Sequence, residues 1–308
     1  MRVAQVITGR ATRATLTKGW RDQGTREPQS RYDITLALAW VTVITAAIRA
    51  VFTPGAILAA IFTARQHTPT PLPADLTGVT GDTPGDPLPD GVRDAIIQSV
   101  TGSLTASDPN LEPLRDALTG LEADALLAGT HAATEQLDGT GRTPTPGAAA
   151  DLAAIADGID WHDTHVSTPD AEQLLRRGGL GRLLDDAGIS LKGITDTTVK
   201  RLGERIADGL EAGHGPDRIA RDCTDILDDP KRALRIAHTE TARAMTRATL
   251  LQYEAAGITR WDWTASDGAC PACAAREQGG PYELGAPAPP QHPACRCSAR
   301  PAADAFDD

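Results

Sequence analysis

The sequence predicts a mainly α-helical protein with a small α+β part at its carboxy-terminal end, and three observations carry that prediction. Apolar residues recur at three- and four-residue spacing, as in Val199, Leu202, Ile206 and Leu210, which places them on one face of a helix. A single short segment, Trp261-Asp262-Trp263, alternates with the two-residue period of a strand. Beyond it, Cys270-Pro-Ala-Cys273 and His292-Pro-Ala-Cys295 repeat one form across an eighteen-residue loop, the pattern of a knuckle-like Cys/His cluster.

A chain of 308 residues has ample length for a buried core, in one large domain or two ordinary ones. Its net charge of −11 argues against broad nonspecific nucleic-acid binding, because an acidic surface is repelled by a duplex and releases no counterions from it. The charge is uneven. Residues 1–32 carry Arg2, Arg10, Arg13, Lys18, Arg21, Arg26 and Arg31 against Asp22 and Glu27, so this arm is net +5 and the remainder net −16. Such an arm suits contact with DNA or an acidic partner, although a solvated end is the plainer reading.

From Ile34 to Ala64 the chain is mostly apolar, with Pro54-Gly55 as a break, and a helical hairpin is expected. Each arm falls short of the ~20 residues that cross a bilayer. A buried or partner-facing hairpin is therefore preferred over membrane insertion. Residues 67–91 and 138–147 are rich in Pro, Gly, Thr and Asp and read as linkers around a helical section from about Val92 to Leu137. The expected organisation is an arm and hairpin over 1–66, linkers and a short helical section over 67–147, a helical domain with the Cys/His site over 148–302, and an acidic tail over 303–308.

In the second half, Gly213 or Gly215 stops the helix that carries Val199 to Leu210. Pro216 opens the next one, with Ile219, Cys223 and Ile226 on a single face and Cys223 as a small core residue. Asp229-Pro230 opens the longest helix, which Gly257 ends. Trp261 and Trp263 then share one face of a strand, and Ser266-Asp267-Gly268 turns the chain toward Cys270.

All five cysteines follow residue 222, and no secretory signal precedes them, which suggests a reducing compartment such as the cytosol, where clustered cysteines point to metal rather than to a disulfide framework. Two residues between ligands let a tight turn aim two donors at one point, and proline stiffens it. Two such turns supply four soft or borderline donors, which suits structural Zn2+. Cys270, Cys273, His292 and Cys295 are the expected ligands, with Cys297 as the substitute for His292 or Cys295. The loop between the two turns has little apolar content, so the metal is expected to organise a region without a core of its own. A Cys270–Cys273 disulfide is the alternative under oxidation. A thioredoxin-like role would need a βαβ unit, which the sequence does not suggest.

One enzymatic alternative shares these residues. Zinc nucleobase deaminases use HxE followed by PCxxC, and His238-Thr239-Glu240 precedes Cys270 and Cys273 here. Ala269 stands where that motif has Pro, and His238 lies within a helical pattern where it reads as a surface residue. Asp228, Asp229 and Glu240 read as helix-end charges and surface groups. No HExxH, nucleophile elbow, P-loop or dinucleotide fingerprint occurs, so no catalytic residue is assigned.

The runs RALRIAHTETARAMTRA (232–248), GITRWDWTASDGACPAC (257–273) and PPQHPACRC (289–297) together resemble the carboxy-terminal domain of phage Mu F-like minor head proteins, the head-morphogenesis family. The matching positions are Ala237, Thr239 and Glu240 on the helix, Trp263 on the strand, Asp267, Cys270 and Cys273 after the turn, and His292, Cys295 and Cys297 at the end. Relatives place four residues between the Trp and the Asp, and Trp263 and Asp267 have three between them, so either Trp261 or Trp263 holds the family position. The resemblance covers roughly residues 190–301 and none of the first 150. It implies a minor capsid component of a tailed bacteriophage acting beside the portal, in the virion head and in the host cytoplasm during assembly. Portal and major capsid subunits are the implied partners. The basic arm and apolar hairpin would form a second contact, to phage DNA, to another copy of the chain or, least favoured, to a membrane.

Overall fold

A computed structural model describes residues 28–66, 91–106, 111–138, 140–159, 171–177, 179–184 and 187–303. The basic arm up to residue 27, the Pro/Gly-rich stretch 67–90 and the acidic tail from residue 304 lie outside the described residues. The protein is mainly helical with one small sheet, as the sequence predicts. In chain order the helices are α1 (Pro28–Val51), α2 (Pro54–Arg65), α3 (Val92–Ala106), α4 (Glu112–Asp138), α5 (Ala148–Asp157), α6 (Ala171–Arg177), a 3-10 turn (Gly181–Leu184), α7 (Ala187–Glu211), α8 (Pro216–Leu227) and α9 (Pro230–Ala255). Strand β1 (Arg260–Thr264), helix α10 (Pro271–Gln278), β2 (Tyr282–Glu283) and β3 (Ser298–Pro301) complete the chain.

These elements form two compact units, each discontinuous in sequence. One gathers Val43–Leu118 and Asp186–Arg232, the other Met1–Thr42, Thr119–Asp185 and Ala233–Asp308. Helices α1, α4 and α9 each contribute residues to both.

In the first unit, α2 packs on α3 and α8, and α7 packs on α3 and α8. The stripe expected on α7 is largely buried, with Val199, Leu202 and Ile206 inside, and Cys223 is a fully buried core residue on α8. Gly213 takes a left-handed φ of 70° and His214 N–H donates to Gly209 O at 2.8 Å, so the chain leaves α7 where the sequence predicts. Asp229 caps α9 by accepting from the Lys231 and Arg232 amides, both at 3.1 Å. The buried Arg232 guanidinium then donates to Thr198 Oγ1 (2.6 Å) and Ile194 O (3.2 Å) on α7.

The apolar amino-terminal pair departs from the expected hairpin. Only Phe52 and Thr53 separate α1 from α2, and Thr53 caps the second helix at once by accepting from Ala56 N at 3.3 Å. The axes therefore bend by 49° without folding back, giving a kinked pair. Its apolar side chains are also largely spent inside the fold. Ile44, Ile48, Val51, Phe52, Ile57 and Ile61 are buried, and among the described residues Phe62, at 46%, is the exposed large hydrophobic. No single described helix is long and apolar enough to cross a membrane; the bent pair Leu36–Val51 and Pro54–Arg65 meets that composition only when taken together.

The second unit is built around α4 and α9. Leu126, Leu127, Met245 and Ala248 share a core with Leu152 of α5, Leu175 of α6 and Leu180 and Leu184. The two long helices touch backbone to backbone: a Cβ on Gly129 would fall 2.6 Å from both Cα and O of Met245. Segment 138–147 is tied to the end of α9 by Thr145 N–H to Ala255 O (2.8 Å) and Arg142 Nη1 to Gly257 O (3.1 Å). Gly257, at φ 74°, ends α9, and Ile258 N–H returns to Tyr253 O at 2.9 Å.

Strand β1 is central in an antiparallel sheet of order β2-β1-β3. Trp261 pairs with Tyr282 and Pro301, and Trp263 with Ala299. Both tryptophans are fully buried on one face, as the alternation predicts, with centroids 6.1 Å apart. They pack with Tyr253, Leu137, Ile258 and Ala299 and with Cys273, Cys295 and Cys297.

Two stability predictions follow from this packing. Gly129→Ala should destabilise by about 1–3 kcal/mol, because a methyl pressed onto backbone has no side chain to displace, whereas Gly102→Ala, which meets nothing within 4 Å, should stabilise α3 by about 0.5–1 kcal/mol; urea unfolding measures both. Asp124, 3% exposed and accepting from Trp40 Nε1 at 2.9 Å, has its carboxyl pushed up to about 7 by burial. An unfolded Asp titrates near pH ~4, so over that interval the native state holds the extra proton and this residue's contribution to stability falls as pH rises. Asp124→Asn keeps an acceptor for Trp40 and should gain stability over wild type progressively from about pH 4 to 7, reaching ~4 kcal/mol in unfolding titrations.

Candidate metal centre

The first turn is built where β1 hands the chain to α10. Gly268 adopts φ 74° and Ala269 N–H donates to Ser266 O at 2.9 Å, closing the expected turn. Cys270 occupies the N-cap of α10 and Pro271 its first position, which suits a residue without an amide proton. Cys273, one turn in, is buried. The segment between the two ligand turns thus begins as a helix. It also packs against a core, though one supplied by other elements rather than its own. Leu284, Ala286 and Ala288 pack against the tryptophan cluster, Ala265 N–H donates to Glu277 Oε1 at 3.0 Å, and Tyr282 Oη–H donates to Arg276 O at 2.7 Å. Local composition missed this because the apolar partners come from α4, α9 and β1.

The second turn brings His292 back. His292 Nε2 lies 3.4 Å from Cys270 Sγ and 3.4 Å from Cys273 Sγ, and Cys273 Sγ lies 3.7 Å from Cys295 Sγ. The donors form two overlapping groups, Cys270–Cys273–His292 and Cys273–Cys295–Cys297, within each of which the ligand atoms are all within 4.8 Å of one another. The five predicted donors therefore fall in two groups of three joined through Cys273, and no four of them lie within 4.8 Å of one another. Cys297 takes its place beside Cys295. All five cysteines of the chain are free thiols.

The donor set fits a tetrahedral cation. Zinc–sulfur bonds of about 2.3 Å and zinc–nitrogen bonds of about 2.0 Å give tetrahedral edges of roughly 3.8 Å between sulfurs and 3.5 Å between sulfur and nitrogen. The two His292–cysteine separations and the Cys273–Cys295 separation match those edges, and each group of three would fill three corners of such a site. His292 Nδ1 lies 3.0 Å from Pro293 O, and since a carbonyl only accepts, Nδ1 carries the proton and Nε2 turns its lone pair toward the sulfurs.

Cys270 and Cys295 are both lowered, the first chiefly by a backbone amide and the second chiefly by a neighbouring side chain. The Cys270 thiol is lowered, first by the Cys273 amide and further by that of Ala272, both at the start of α10. Cys295 is lowered to about 5, first by the Cys297 side chain, with the Cys297 and Gln291 amides adding to it. Burial pushes Cys273 up to about 12. Cys297 is raised by Cys295 and by burial, with the Ser266 amide and the Trp263 indole set against its sulfur. His292 is raised, first by the Pro293 carbonyl and also by the charge on Cys295 and Cys270.

The remaining motif residues occupy distinct places. Trp263 is in the buried core and Asp267 is exposed in the turn before Cys270. Thr239, on α9, accepts from Ala294 N–H of the His292 turn at 3.0 Å, a contact with no local signal in the sequence. Glu240 and His238 are both buried, which corrects their reading as surface groups. Glu240 forms an ion pair with Arg243, and His238 is 1% exposed. Among the described residues His238 belongs to neither donor group, so HTE does not supply a ligand to the CPAC pair as the deaminase pattern requires. The CPAC segment does open a helix after a strand, as a thioredoxin motif would, but β1 has only antiparallel neighbours, which is not a βαβ unit.

No curated protein and no solved structure matches this chain. Residues 200–300, the stretch that holds all of α9, nearly all of the sheet and all five donors, match the family model described as Phage Mu protein F like protein.

Proposed function

We propose that this chain is a head-morphogenesis protein of a tailed bacteriophage, a minor capsid component that works beside the portal by protein–protein contact and carries one structural Zn2+. The observation that carries this reading is the family match over residues 200–300 together with the two Cys/His donor groups, joined through Cys273, that lie within it. The zinc holds the turn at Cys270 and the turn at His292 together, so that α10, β2 and the closing segment present one rigid surface to a partner. Portal and major capsid subunits are the proposed partners. The basic arm offers phage DNA a contact, and self-association is a further use of the amino-terminal region. The protein acts in the host cytoplasm during assembly and resides in the virion head. Its role is assembly, with no catalytic residue, since the chain itself offers enough soft donors to fill a tetrahedral cation and leave no seat for water.

Metal analysis of the purified full chain should give roughly one zinc per chain, as a single tetrahedral site requires. Cys273→Ser should lose it, because Cys273 joins both donor groups, whereas Cys223→Ser, remote in the core of α8, should retain it. Undiminished zinc in Cys273→Ser would overturn the metal reading. The assembly reading is checked by capture of portal and major capsid subunits on the immobilised, zinc-loaded chain. Retention of either supports it; failure to retain both, together with turnover of a nucleoside, would replace it with the deaminase alternative.

A further inference from the structure

The His292–Cys295 turn carries an unusual backbone feature. Ala294 has φ 60°, and among the described residues it is the non-glycine residue with positive φ. An L-residue with a Cβ adopts that region only at a cost, so something must hold it there. The holder is visible on α9. Ala294 N–H donates to Thr239 Oγ1 at 3.0 Å, and the same hydroxyl donates to Arg235 O, one turn back in the helix, at 2.7 Å. The hydroxyl is thus fixed as acceptor toward Ala294 by its own bond to the helix, and it joins residues 55 apart in sequence. Ala294 sits between the two donors of its turn, so its conformation sets the direction in which His292 Nε2 and Cys295 Sγ converge on Cys273.

We propose that Thr239 is the positioning residue of the metal centre: its hydroxyl locks the left-handed Ala294 and so fixes the His292 hook on helix α9. This rests on the metal reading above. Thr239 touches no cation itself and acts through the backbone of the turn. A partner of this kind sets how long the cation stays bound, since loosening it lets one pair of donors swing away while the other pair still holds.

The experiment is release of zinc from the full chain to a chromophoric chelator, with Thr239→Val, Thr239→Ser and Cys273→Ser compared with wild type. Thr239→Val keeps the shape and removes the hydroxyl, and it should bind zinc at wild-type stoichiometry but release it roughly 10- to 100-fold faster. Thr239→Ser should restore the wild-type rate, which a loss of packing alone would not predict. A Thr239→Val protein that releases zinc at the wild-type rate overturns this inference and leaves the metal site standing, whereas zinc retained by Cys273→Ser overturns the site itself. A measurement on the unmodified protein covers the case in which the valine variant does not fold. Ala294 is exposed, so its amide should exchange with solvent slowly only if Thr239 accepts from it. Slow exchange in the zinc-loaded chain supports the proposal, and exchange at the rate of an open loop amide defeats it.

Discussion

The carboxy-terminal part depends on one constraint: Cys273 Sγ must stand 3.4 Å from His292 Nε2 and 3.7 Å from Cys295 Sγ at once. Neither packing nor donor chemistry meets it alone. The tryptophan core, with Tyr253 of α9 beneath it, fixes β1 and hence the start of α10, which places Cys270 and Cys273. Pairing of β3 with β1 brings back Ser298 to Pro301 and sets where Cys295 and Cys297 lie. Amide donors at the start of α10 lower the Cys270 thiol, the Cys297 side chain lowers that of Cys295, and the proposed cation would draw these sulfurs together.

Much of this was legible in residues whose effect is local. Asp229-Pro230 and Gly257 bound α9 because a cap, a proline at the first position and a left-handed glycine act within a few residues of themselves. The alternation at Trp261 and Trp263 reads correctly because a strand places every second side chain on one face. The paired CPAC and HPAC forms likewise reveal four of the five donors, because two residues between ligands is itself a local spacing.

The misread features are those decided at long range. His238 and Glu240 look like surface positions on α9 until the rest of the fold covers that face, and burial of a polar residue leaves no trace in periodicity. The Gly129–Met245 approach joins positions more than a hundred residues apart, and only in the fold does that glycine differ from Gly102. The segment between the ligand turns reads as too poor in apolar residues to pack because its partners lie on other elements. Ala294 carries no sign of its left-handed backbone, since the sequence offers no glycine there to announce it.

Helix α9 connects these features into a reason for the site to be structural. One face of the helix meets α4 at Gly129, its carboxy-terminal turn supplies Tyr253 to the tryptophan core, and its Thr239 holds the His292 turn. A cation bound beside such a helix stiffens an element already anchored in the core, so its binding free energy goes into shape. A catalytic zinc instead keeps one position open for water or substrate, whereas the structural site proposed above would draw every ligand from the chain itself. The chemistry of the protein then resides in the surface that shape presents. With a net charge of −16 outside residues 1–32, that surface gains nothing from counterion release on a duplex, and any DNA contact falls to the seven basic residues of the arm.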